Sequence, residues 1–132
     1  MHKIECRAAE AFIYPHGIIE VHIKSSWDQP DTPETSSEIA IMLKEYIDSS
    51  HVPYALMLFP PNLYVKKEVL QAYFNIKIGH IADALVVNSF GARLIGKIVL
   101  GFHKNPTPIK IFSNKADAEV WLLEQLELTK NK

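Results

Sequence analysis

The sequence predicts an α/β fold with a mixed, mostly parallel sheet, an N-terminal antiparallel hairpin and about four helices. Two observations predict this class. Short apolar runs typical of buried parallel strands recur between segments with helical apolar spacing. The chain has 132 residues, of which 48% are hydrophobic and 22% charged, as in one ordinary globular domain. We therefore expect a single domain over residues 1–132, with four or five strands.

The first part of the chain predicts an antiparallel hairpin. Strand-like stretches run from Ile4 to Tyr14 and end at the turn signal Pro15-His16-Gly17. The next segment alternates apolar and polar side chains from Ile18 to Lys24. Because side chains alternate between the two faces of a strand, we expect the polar face, which carries His22, to lie in water.

A helix and a buried strand follow. Asp31 or Thr32 can cap a helix that Pro33 preorganises. Its apolar residues recur at helical spacing and form one stripe: Ile39, Met42, Leu43, Tyr46 and Ile47. The apolar run from 53 to 59 stops at Pro60-Pro61 and lacks polar alternation. It predicts a central strand buried on both faces.

The second half of the chain alternates helices and strands. Helical spacing from Val65 to Ile76 predicts a second helix, and residues 82–87 predict another buried strand. A third helix is expected from about Phe90 to Phe102. Residues 109–112 predict a strand at an edge of the sheet. Asn114 then caps a last helix, followed by a polar tail over 127–132 that we expect to fray.

Composition excludes several classes of protein. The formal net charge is −1, so we expect no nucleic acid and no membrane as partner. The single cysteine, Cys6, excludes an intramolecular disulfide and favours a reducing compartment. The chain begins without the apolar core of a signal peptide, and no apolar run reaches the ~18 residues of a membrane span. These features predict a cytoplasmic protein.

Three segments carry a resemblance to a known family. They are the turn Gly17-Ile18-Ile19, the helix start Asp31-Thr32-Pro33-Glu34, and the ending Pro108 to Asn114 with Ala118 and Trp121-Leu122. Together with the element order, they make the chain resemble the SpoIIAA-like fold, which STAS domains share with small uncharacterised bacterial relatives. The resemblance covers almost the whole chain, and its residues are mainly structural.

The resemblance implies a regulatory or protein-interaction domain without catalysis. STAS anti-sigma-factor antagonists carry a phosphorylatable serine in the loop after the third strand. The matching region here, Phe59 to Tyr64, contains no Ser or Thr, so the phosphoserine switch is not supported. The sequence also lacks the glycine-rich, nucleophile-elbow and paired-cysteine motifs of common enzymes and cofactor sites. We therefore expect no catalytic residue, no cofactor and, despite six histidines, no metal site.

The carboxyl ends of the buried strands are the candidate binding site, because open α/β sheets bind ligands there. Pro60 and Asn62 follow one strand. Asn88 and Ser89 follow another at a helix start, whose free amides attract anions, with Arg93 one turn on. The site could bind a protein partner, a small anion or a short apolar molecule. An ordinary helix cap with solvated basic residues explains the same pattern.

The predicted third helix is apolar on nearly all sides and contains Gly91, Gly96 and Gly101. A helix of this kind must be covered on all sides, and one sheet face cannot do so. Either a neighbouring helix or a second subunit completes its burial. We expect a homodimer with a symmetric interface, together with an unidentified protein partner.

Overall fold

The computed structural model describes residues 1–29, 32–60, 67–87 and 107–130. Over these ranges it contains three helices: α1 (Pro33–Ser50), α2 (Lys67–Phe74) and α3 (Lys115–Lys130). It also contains six strands: β1 (His2–Glu5), β2 (Ala9–Ile13), β3 (Ile18–Ile23), β4 (Ala55–Phe59), β5 (Asp83–Val86) and β6 (Ile109–Phe112). The predicted α/β class is confirmed. The helix predicted from Phe90 to Phe102, and with it the three glycines, lies outside the described residues.

The six strands form one mixed sheet in the order of the sequence. The β1–β2 and β2–β3 pairs are antiparallel, whereas β3–β4, β4–β5 and β5–β6 are parallel. The prediction of four or five strands is wrong because the N-terminal segment divides into two strands, β1 and β2, which form a hairpin of their own before β3. Its turn is closed by the Cys6 N–H, which donates to the carbonyl of Ala9 at 3.0 Å.

The sheet is covered on both faces. Helices α1 and α2 pack on one face, here called the α1/α2 face, over side chains such as Ile19, Leu56 and Leu85. Helix α3 packs on the other face, here called the α3 face, over Ile18 and Met57. This double coverage explains why β4, and β5 after Asp83, are apolar without alternation.

The predicted caps form, and they set where the helices begin. Thr32 caps α1, since its hydroxyl accepts from the Thr35 N–H at 3.2 Å, and Pro33 occupies the first turn. Asn114 caps α3 by accepting from the Asp117 N–H at 2.8 Å. Helix α3 continues to Lys130, so residues 127–130 of the expected tail are helical, and fraying of this end stays a prediction. Within the described ranges, no helix combines the length and apolar content needed to cross a membrane.

Candidate functional site

A cavity of about 90 Å³ lies between α1, α2 and the sheet, at the carboxyl ends of β3 and β4. Strand alternation directs Val21, Leu58 and Leu85 toward the α1/α2 face, where they meet α1 and α2. The described lining residues are Ala8, Val21, Ile23, Thr35, Ser36, Ile39, Leu58, Phe59, Pro60, Val69, Leu70, Tyr73 and Leu85. This is the edge of the sheet at which the sequence predicts a binding site.

The two aliphatic hydroxyls of this lining, on Thr35 and Ser36, are engaged within the protein. The Ser36 hydroxyl donates to the carbonyl of Val69 at 2.8 Å, which ties α1 to α2. The Thr35 hydroxyl donates to the Thr32 carbonyl at 3.0 Å as part of the α1 cap. Because both hydroxyls already have partners, the described lining offers an occupant mainly apolar contacts.

The structure places one of the five predicted binding residues in this cavity. Pro60 lines it directly after β4. Asn62, Asn88, Ser89 and Arg93 lie outside the described residues. Sequence reasoning missed the lining residues that α1 and α2 contribute. Ala8 lies in the turn between β1 and β2, and Thr35 and Val69 lie near the starts of α1 and α2. Once the strand order is known, all three positions are expected near the carboxyl ends of β3 and β4.

A buried polar cluster, here called the Asp83 cluster, lies beside the cavity on the α1/α2 face. His80 Nε2 lies 2.6 Å from Asp83 Oδ2, and Asp83 is fully buried. Tyr73 of α2 shares a wall with the cavity, and its hydroxyl is buried. Three buried polar atoms of the cluster have no hydrogen-bond partner in the described part of the chain: Tyr73 Oη, His80 Nδ1 and Asp83 Oδ1.

The environment of Tyr73 favours its neutral form. Burial raises the pKa of the Tyr73 phenol well above its ordinary value, and the nearby Asp83 carboxylate raises it further.

The sequence signal for this cluster is the spacing of three residues between His80 and Asp83, which by itself indicates neither a metal site nor a buried pair. Within the described ranges, no group of three or more His, Cys, Asp or Glu side chains converges to hold a metal ion.

A second polar cluster, here called the Glu20 cluster, lies on the α3 face. Glu20 Oε1 lies 3.2 Å from His22 Nε2, and Glu20 Oε2 lies 2.9 Å from Lys115 Nζ at the start of α3. The His22 ring stacks on Phe59 with the ring centroids 4.4 Å apart. The hydrogen bond with Glu20 raises the pKa of Lys115. The expectation of a wet polar face is wrong at Glu20, which is only 7% exposed because α3 covers this part of β3, whereas His22 is half-buried.

A wider depression of about 660 Å³ lies at the amino ends of β3 and β4, at the other end of the strands from the cavity, near the turn between β2 and β3. Its lining mixes polar side chains such as His16 with apolar side chains such as Val52. Two of its apolar residues, Met1 and Val52, are more than half exposed. The depression therefore differs from the cavity because it is open to water and because it offers both polar and apolar contacts.

Comparison with protein families gives one match. Residues 64–126, slightly less than half of the chain, match the model of a family described as a domain of unknown function (DUF7793). The match spans α2, β5, β6 and most of α3, and it leaves out β1 to β4 and α1. No curated protein and no solved structure matches the chain.

Proposed function

We propose that this chain is a non-enzymatic protein-interaction module of the STAS-like type, whose cavity receives one apolar side chain of a partner protein. The observation that carries the proposal is the apolar cavity at the carboxyl ends of β3 and β4. Pockets that accept a single buried anchor residue contribute most of the binding energy at many protein interfaces. The cavity is placed where α/β sheets most often bind their partners or ligands.

The size of the cavity favours one side chain over a whole metabolite. Its volume of about 90 Å³ is smaller than the ~150 Å³ engineered cavity that binds benzene. It is also well below the ~300 Å³ at which ordinary ligand pockets begin. An aliphatic group of the size of a valine or leucine side chain suits such a volume.

The resemblance to SpoIIAA-like domains supports the regulatory part of this proposal. Like the predicted order, the described order begins with antiparallel strands and goes on to α1, β4, α2 and β5, although it has one N-terminal strand more than predicted. Pro60, at the start of the loop that carries the serine in STAS antagonists, lines the cavity. In this proposal, recognition at that loop depends on apolar contact in place of phosphorylation, in a reducing, cytoplasmic compartment.

A second candidate function is the binding of a short apolar molecule in the same cavity. The described lining contains no Lys, Arg or His side chain, which favours an apolar molecule over an anion. An anion site would depend on Asn88, Ser89 and Arg93, which the structure does not describe. In the first candidate the group that enters the cavity is a side chain of a polypeptide, whereas in the second it is a free small molecule.

Methyl NMR of the full chain separates these candidates. The probes are benzene and acetylated, amidated pentapeptides of the form Gly-Gly-X-Gly-Gly, with leucine, alanine or aspartate at X. We expect the leucine peptide to shift the methyl signals of Val69, Leu70 and Leu85, and the other two peptides to leave them unchanged. A response to benzene without a response to the leucine peptide would favour the small molecule. No response to either probe would contradict both candidates.

Two matched substitutions test whether the response comes from the cavity. Val69 lines the cavity from α2, whereas Val120 is 58% exposed on α3. Val69→Phe adds bulk inside the cavity, so we expect it to abolish the response of the neighbouring methyl groups. Val120→Phe makes the same chemical change at the surface, and we expect it to leave the response within about twofold of the wild type. Equal effects of the two substitutions would exclude the cavity as the site.

A further inference from the structure

Strand β1 forms an outer edge of the described sheet and is open to water. It pairs with β2 on one side. His2, Lys3 and Glu5 are exposed, and Ile4 is half-buried against the α1/α2 face. An edge strand of this kind presents backbone groups that can pair with another strand.

The hydrogen bonds of the first hairpin show which backbone groups point outward. The Cys6 N–H donates to Ala9 of β2, and the pairing register places Ile4 opposite Ala11. Because hydrogen-bonded residues alternate in an antiparallel ladder, Cys6, Ile4 and His2 direct their backbone groups toward β2. Lys3 and Glu5 therefore direct theirs away from the sheet.

The side chains of the same two residues carry opposite charges on one face. Glu5 lies directly opposite Glu10, a like-charge pair that is unfavourable across two strands. Lys3 Nζ lies 3.3 Å from Glu10 Oε2, and Lys24 Nζ lies 3.3 Å from Glu5 Oε2. Lys3 Nζ also lies 3.8 Å from Glu5 Oε2 on the same strand, so the row holds two cations and two carboxylates. A second strand placed beside β1 would find both signs of charge on it, in a fixed order.

We propose that β1 pairs antiparallel with β1 of a second copy of this chain, with the two-fold axis passing between Ile4 and its counterpart. In this register Lys3 lies opposite Glu5 of the second copy, and Glu5 lies opposite Lys3. Both residues have their backbone groups directed at each other, so the ladder continues across the interface. A shift by two residues would oppose Lys3 to Lys3 or Glu5 to Glu5, and a shift by one would oppose groups already bonded to β2.

This interface goes beyond the proposed function and does not depend on the cavity. Charges on edge strands usually discourage pairing, but here the two charges on β1 differ in sign and match in one register. The strand has four residues, so the paired area is small. We therefore expect a weak dimer whose population rises with concentration.

Sedimentation equilibrium of charge-reversed variants tests the register. Lys3→Glu leaves two acidic residues at positions 3 and 5, and Glu5→Lys leaves two basic residues. We expect each variant alone to lose at least about tenfold in association constant, because like charges then meet across the interface. A mixture of the two variants should recover association, since every opposed pair then has opposite charges. The double variant, Lys3→Glu with Glu5→Lys, should recover it as well.

Glu127→Lys, on the exposed side of α3 and 68% exposed, controls for a general effect of charge and should leave association unchanged. Amide hydrogen exchange in the wild type gives a reading without substitutions. The Lys3 and Glu5 amides should exchange more slowly as concentration rises from about 10 μM to about 1 mM, whereas the Ile4 amide should not respond. A wild-type monomer throughout this range would overturn the proposal. A dimer that the single reversals leave intact would also overturn it and place the interface elsewhere.

Discussion

The two faces of the sheet each hold a histidine beside a carboxylate, in opposite environments. In the Asp83 cluster, the side chains of His80 and Asp83 are 7% and 0% exposed. One polar atom each of Tyr73, His80 and Asp83 lacks a hydrogen-bond partner in the described structure. In the Glu20 cluster, His22 and Lys115 reach water, with side chains 36% and 53% exposed, and both carboxylate oxygens of Glu20 have partners.

The difference shows how burial changes the role of the same chemical pair. A pair that is sealed from water must be satisfied internally, since removing one partner leaves the other desolvated and uncompensated. A pair that reaches water can replace a lost partner by solvent, so each contact contributes little. We infer that the Asp83 cluster holds α2 and β5 in place beside the cavity, whereas the Glu20 cluster contributes modestly to the docking of α3.

The largest effect is expected from Asp83→Ala. The substitution leaves His80 buried without its carboxylate partner, and we expect a loss of about 3–5 kcal/mol in the free energy of unfolding. Urea denaturation at neutral pH measures it. Asp28→Ala, at an exposed aspartate, should change stability by less than about 0.5 kcal/mol. A loss below about 1 kcal/mol at Asp83 would contradict the role given to the sealed pair.

An intermediate effect is expected from Tyr73→Phe at alkaline pH. Because the folded-state pKa of Tyr73 is raised, its contribution is complete below the unfolded pKa of about 10 and is lost as pH rises above it. The wild type should lose up to about 1.4 kcal/mol more per pH unit than the variant in this range. The pKa of Tyr46 is also raised, by its hydrogen bond with Tyr54. Because Tyr46 is present in both the wild type and the variant, the difference between their pH profiles isolates Tyr73. Parallel pH profiles for the two chains would show that the phenol is not sealed.

The smallest effect is expected from Lys115→Met in the Glu20 cluster. Lys115 is half-exposed and Glu20 keeps His22 as a partner, so we expect a loss of about 0.2–1 kcal/mol that shrinks as salt is added. Lys130→Met, at an ion pair exposed on both sides, should cost less than this. Urea titrations at low and high salt measure both. A loss above about 2 kcal/mol would make the two clusters equivalent and remove the contrast between the faces.

Much of the fold could be predicted because its signals are local. Thr32 with Pro33 sets the start of α1, Asn114 sets the start of α3, and the apolar runs of β4 and β5 indicate burial on both faces. The predicted hairpin is the β2–β3 pair, whereas the β1–β2 hairpin escaped prediction because its turn at Arg7-Ala8 lacks glycine, proline and asparagine. Arg7 is held there by Glu38 of α1, with Nε 2.8 Å from Oε2, a contact between residues distant in sequence.

The candidate site was predictable in position more than in composition. The rule that ligands bind at the carboxyl ends of strands led to Pro60, which lines the cavity. The depth and apolar character of the cavity depend on how α1 packs against α2 through Ser36, which periodicity does not specify. The burial of Glu20 likewise depends on where α3 docks, so an alternating strand pattern was insufficient to place it.

The proposed function is tested most directly by intermolecular NOEs between the leucine methyl groups of the pentapeptide and the methyl groups of the full chain. We predict NOEs to Val69, Leu70 and Leu85, because these side chains surround the cavity on the α1/α2 face. They should disappear in Val69→Phe and persist in Val120→Phe. NOEs confined to Val120 and Leu123, which are exposed on α3, would place the contact on the other side of the molecule and contradict the account.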